Sequence, residues 1–155
     1  MKRKREAVAE DVTEEYLNSA VSARGTVAYE AGLRTKNHQA EIDMARWIHQ
    51  MFGGDILLLR ESEKDSVKRP DYLWKEKFWE LKGVSSINGA DKLLQYAIKQ
   101  IQDNPGGVIL NVLEDMELGA LERQLGRRIG RSRLSTVDLV ILRKGVLVKV
   151  LRYYK

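Results

Sequence analysis

At 155 residues with no cysteine, the chain is long enough for one domain to bury its own core, and a disulfide framework, a thiolate zinc site or a cysteine nucleophile is excluded. No run of about 18 apolar residues occurs, so nothing is expected to span a membrane, and the start MKRKREAVAEDVTEEY lacks the apolar core of a secretory signal. The net charge of +5 favours polyanionic partners, nucleic acid first.

Residues 1–36 read as a polar N-terminal appendage, partly flexible, with a basic tract, Gly25, Gly32 and a thin helical stripe from Glu14 to Ala23. From Asn37 the pattern sharpens into a domain over residues 37–155. His38, Glu41, Ile42, Ala45, Ile48 and Phe52 fall at helical spacing, and Gly53-Gly54 stops the helix. Asp55–Leu59 is a short apolar strand, and ESEKDSVKR (residues 61–69) a solvated loop. Tyr72–Trp74 and Phe78–Lys82 read as paired strands. Asn88 or Asp91 can cap a helix carrying Leu93, Leu94, Ala97, Ile98 and Ile101, which Asn104-Pro105-Gly106-Gly107 ends. Val108–Leu113 is a strand and Met116–Ile129 a basic helix. Val137–Leu142 and Val146–Leu151 form a hairpin around Lys144-Gly145. Runs such as VDLVIL imply strands covered on both faces. The expected class is α+β: a mixed, mostly antiparallel sheet of five or six strands, with an N-terminal helix and two further helices packed on it.

The stretch RPDYLWKEKFWELKG carries the chemistry. Side chains alternate along a strand, so Glu80 and Lys82 share one face, and Trp79 and Leu81 the other. Whether Asp71 joins them depends on the turn. A two-residue loop at Lys75-Glu76, or a four-residue loop, sets Asp71 opposite Glu80; a three-residue loop sends it to the other face. If they pair, two carboxylates and an ammonium stand together, and the acids need a divalent cation, a shared proton or the lysine between them. The spacing fits PD-x8-ExK, in which Asp71 and Glu80 hold magnesium and Lys82 positions water or steadies the phosphorane. The plainer alternative is a surface hairpin whose charges face water.

A second constellation lies at the head of the first helix, where His38 and Glu41 continue the stripe of Ala45, Ile48 and Phe52. His38 is placed to act as a general acid or base, while Glu41 needs a partner or simply suits the helix N-terminus. His49 lies off the stripe and is expected to be exposed. Gln100 sits at the rim of the next helix's apolar face, where it can hold substrate backbone or a water. Arg127, Arg131 and Arg133, with Arg128 between them, form the densest positive region and suit phosphate contacts. Thr136 can offer a hydroxyl to a phosphate.

NHQAEIDMARWIHQMFGGDILLL, RPDYLWKEKFWELKG, LLQYAIKQIQDNPGGVILNVL and STVDLVILRKGVLVKV, over roughly residues 37–152, resemble the C-terminal tRNA-nuclease toxin domains of CdiA contact-dependent inhibition proteins. They likewise resemble related nuclease domains of phage and mobile-element proteins, grouped with barnase, EndoU, colicin and RelE. The resemblance implies a helix followed by a mostly antiparallel sheet, RNA cleavage without a cofactor, and action in the cytoplasm with an immunity protein as a possible partner. In one branch of such toxins a His-x-x-Glu pair and a late threonine are active-site residues, matched here by His38, Glu41 and Thr136. Asp71, Glu80 and Lys82 match instead the PD-(D/E)xK nucleases, most of which cut DNA with magnesium. The CdiA domains end very large secreted proteins, whereas this chain starts at Met1 without a delivery segment, so a free-standing derivative, a domesticated copy or an excised domain is expected. The readings are therefore an endoribonuclease acting on tRNA, a Mg-dependent DNA nuclease, and a non-catalytic nucleic-acid-binding module.

Overall fold

The computed structural model describes residues 6–22, 25–61 and 69–155. The basic tract of Met1–Arg5 and most of the expected 61–69 loop lie outside them. The described residues form eight strands and four helices: β1 (Val8–Asp11), α1 (Thr13–Ser22), β2 (Val27–Tyr29), α2 (Gln39–Phe52), β3 (Ile56–Leu58), β4 (Tyr72–Trp74), β5 (Lys77–Val84), α3 (Ile87–Ile101), β6 (Pro105–Val112), α4 (Leu118–Gly130), β7 (Thr136–Arg143) and β8 (Val146–Tyr154). A single 3-10 turn, Thr35–Asn37, leads into α2.

All eight strands join one mixed sheet in the order β1-β8-β7-β6-β5-β4-β3-β2. The pairs β1–β8, β8–β7, β5–β4 and β4–β3 are antiparallel; β7–β6, β6–β5 and β3–β2 are parallel. The α+β class with a mixed sheet is as expected, with eight strands in place of five or six. The two additional strands, β1 and β2, come from residues 1–36, which also supply α1. Both are short edge strands without an alternating apolar pattern, so their sequences carry little strand signal.

The sheet is covered on both faces. On one face α1 and α2 lay Tyr16, Ile42, Ala45, Ile48 and Phe52 over Tyr72, Trp74, Trp79, Ile109 and Val140. On the other, α3 and α4 lay Ala90, Leu94, Ala97, Ile101, Leu121, Leu125 and Ile129 over Val84, Val108, Leu110, Leu139 and Ile141. β6 and β7 are buried almost throughout, as their continuous apolar runs require. α3 starts earlier than expected: Ser86 is its N-cap, accepting from the Gly89 N–H at 2.9 Å, while Asp91 binds Arg128 of α4. Pro105 opens β6, a position where a strand tolerates its missing N–H. Among the described residues no helix is long and apolar enough to cross a membrane.

Candidate active site

The turn between β4 and β5 decides the site. Lys75 and Glu76 have φ of 54° and 63°, both left-handed, and Trp74 pairs with Lys77, so the loop has two residues. Neither residue favours that conformation, and the surroundings hold it. The Lys75 ammonium lies 4.3 Å from the centre of the Tyr16 ring, and the Asn104 amide donates to the Glu76 carbonyl at 2.8 Å. The two tryptophans pack at 4.8 Å, and the Trp79 indole N–H donates to the Trp74 carbonyl at 3.0 Å.

Carried one step further, this register sets Asp71 opposite Glu80. The Asp71 N–H donates to Glu80 Oε1 at 3.0 Å, and the Leu81 N–H donates to Asp71 Oδ2 at 2.8 Å. Lys82 Nζ lies 3.2 Å from Glu80 Oε2. Trp79 belongs to the core under α2, so Asp71, Glu80 and Lys82 stand on the opposite face, beside α3. Glu80 is only 3% exposed. Burial, then the Asp71 charge and a hydrogen bond to its carboxyl, push Glu80 up to about 8, although Lys82 pulls it down.

Asp71 is also held through its backbone, whose carbonyl accepts from the Leu59 N–H at 2.9 Å. Arg69 donates to both carboxylate oxygens of Glu30, at 2.5 and 3.1 Å, and to the Arg60 carbonyl at 3.1 Å. Glu30 follows β2, so the segment read as an appendage anchors the approach to the site. Sequence reasoning missed Glu30, because only the β2–β3 pairing brings it there.

Glu41 approaches from α2. Its backbone carbonyl accepts from the Tyr72 hydroxyl at 2.6 Å. Burial, followed by the charges of Asp71, Glu41 and Glu80, holds that hydroxyl well above its ordinary pKa. His38 lies between Glu41, at 3.8 Å from Nδ1, and Glu61, at 3.3 Å from Nε2. His49 is half-buried, contrary to its expected exposure, with Nε2 2.7 Å from the Gly25 carbonyl.

The remaining predicted residues divide. α4 packs beside β8, where the Tyr153 hydroxyl donates to the Glu122 carbonyl and Lys149 meets Glu122. The α3 flank bearing Asp91, Gln95 and Ile98 meets α4. Gln100 lies on the other flank, with Leu93. Its Oε1 is buried with no hydrogen-bond partner among the described residues. Arg131 and Arg133 line the groove between α3 and α4 with Arg128. Arg127 does not join them, since its Nε points to Glu6 at 3.3 Å. Thr136 is separated from the site. It lies two residues before Asp138, whose carboxylate accepts from Tyr16 of α1 on the opposite face, and β6 stands between β7 and β5. The sequence reading begins this strand at Val137, and the strand order that carries Thr136 away from the site was not legible in it.

No family model, curated protein or solved structure matches the chain.

Proposed function

We propose that the chain is a nuclease that cleaves RNA phosphodiester bonds through Asp71, Glu80 and Lys82, with tRNA the substrate class to test first. The observation that carries this reading is the placement of the Asp71 and Glu80 carboxyl groups and the Lys82 ammonium on a single sheet face, with the Asp71 N–H donating to Glu80, Lys82 in contact with Glu80, and Glu80 buried. Lys82 supplies positive charge where a phosphorane develops negative charge. A Glu80 pushed up to about 8 exchanges its proton near neutral pH, as a general acid or base requires. His38, at the α2 terminus, is the second proton carrier, with the RNA 2′-hydroxyl as nucleophile. Gln100, Arg131 and Arg133 hold the substrate backbone. The toxin-like reading carries with it a cytoplasmic site of action and an immunity protein as partner.

The second reading is a Mg-dependent DNA nuclease. A buried carboxyl facing another carboxylate suits a divalent cation, and magnesium commonly takes one or two carboxylates, completing its shell with water and substrate phosphate. Among the described residues no group of three or more His, Cys, Asp or Glu side chains is placed to hold a metal ion, so on this reading Asp71 and Glu80 would be its protein donors. When bound, the ion supplies Lewis acidity and an acidified water.

Incubating the protein with tRNA, unpaired RNA and duplex DNA, in EDTA or in magnesium, separates the readings. RNA cleavage in EDTA, lost in His38→Ala, supports the first. DNA cleavage that needs magnesium and survives His38→Ala supports the second. Binding without cleavage of any substrate at high protein concentration leaves a non-catalytic binding module. Glu80→Ala and Lys82→Ala are expected to abolish cleavage with an unchanged circular dichroism spectrum. Normal cleavage by these two variants and by His38→Ala sinks the site.

A further inference from the structure

The outer surface of α3 carries Lys92, Tyr96 and Lys99 at i, i+4 and i+7, hence on one stripe. Tyr96 is 50% exposed, and both lysines are exposed. Among the described residues these three make no hydrogen bond, ion pair or ring contact. An exposed tyrosine on a helix whose core face is already filled by Ala90, Leu94, Ala97 and Ile101 contributes little to packing.

The stripe lies between two features already described. On one flank is the α3–α4 groove, about 470 Å³, lined by Lys99, Asp103, Arg128, Arg131, Ser132 and Arg133. Arg128 is committed to Asp91, but Arg131 and Arg133 are exposed and make no ion pair among the described residues. On the other flank are Gln100, one turn beyond Tyr96, and the strand that bears Glu80 and Lys82.

We propose that the outer face of α3 is a docking track for an unpaired stretch of nucleic acid, which crosses from the α3–α4 groove over Tyr96 to the Asp71–Glu80–Lys82 site. This rests on the nuclease reading and names its substrate as single-stranded. Lys92, Lys99, Arg131 and Arg133 contact phosphates, and one base stacks on Tyr96. The aromatic selects against duplex: a convex helix surface cannot reach the face of a base inside a stack, whereas an unpaired base lies flat on an exposed ring. Cations on both sides of the ring match the backbone on both sides of a stacked base.

The test is fluorescence anisotropy of the full chain, in EDTA, with a short unpaired oligoribonucleotide and a duplex of the same composition. Tyr96→Ala is expected to weaken single-strand binding by about tenfold and leave duplex binding unchanged, and Tyr96→Phe to keep the parent affinity. Lys92→Gln with Lys99→Gln is expected to reduce the salt slope by about 1.4, two phosphate contacts on a single strand. Tyr96→Ala binding as tightly as the parent, or losing both ligands equally, overturns the track while leaving the nuclease reading standing. A parent chain that neither binds nor cuts nucleic acid overturns both.

Discussion

A carboxyl group that is 3% exposed and faces a second carboxylate holds its proton more tightly in the folded chain than in the unfolded one. For Glu80 the ordinary value of 4.5 rises to about 8. Across that window the folded state binds more protons than the unfolded state, so stability is greatest at the acid end and falls as pH rises. Urea midpoints of the parent in EDTA are therefore expected to decline from about pH 5 to pH 8. Glu80→Gln keeps the shape without the ionisation and is expected to flatten this decline. An equal slope in both proteins assigns the titration elsewhere. At this scale the sequence was readable where one strand sufficed. Strand alternation alone puts Glu80 beside Lys82. Asp71 needed a turn geometry that Lys-Glu does not announce, and Glu30 needed a long-range pairing.

Elements are the scale at which strain is visible. The β4–β5 turn places two non-glycine residues at positive φ, held by Tyr16 and Asn104. Glu76→Gly retains the Asn104 bond to the backbone carbonyl and relieves one left-handed residue. It is expected to raise stability by about 0.5–1 kcal/mol, measured as a shift in denaturation midpoint. The opposite case is Gly107, which lies under the Trp79 ring. A Cβ there would approach the Asp138 carbonyl oxygen to 2.0 Å. Gly107→Ala is expected to cost roughly 3 kcal/mol or more, because two backbones and an indole must separate. Helical stripes such as Ile42–Ala45–Ile48–Phe52 and buried runs such as β6 and β7 were legible because burial enforces their period. β1 and β2 were not, since an edge strand of three or four residues is specified by the partner it meets.

At the scale of the whole molecule, residues 8–29 reach both margins of the sheet. β1 pairs with β8 at one edge, β2 with β3 at the other, and α1 crosses between them. Tyr16 in α1 is 3% exposed. It touches Phe52, Trp74 and Trp79, and its hydroxyl donates to Asp138, which also accepts from Arg152 at 2.8 and 3.0 Å. A chain of residues 37–155 loses this span, uncovers an aromatic floor and opens two strand edges. It is expected to aggregate or to unfold at a clearly lower midpoint than the full chain, read by light scattering and thermal melting. Tyr16→Phe in the full chain removes only the hydroxyl and is expected to cost about 1–2 kcal/mol. A fragment as stable and monomeric as the parent contradicts this account.

Because Val8 is registered with Tyr154, the first strand of the sheet closes on its eighth, and that ladder forms only once β8 is in place. Ring closure over nearly all of the described domain precedes its reward, which sets folding at the slow end of the range. An intermediate that still lacks β8 leaves the β7 edge open to neighbouring chains.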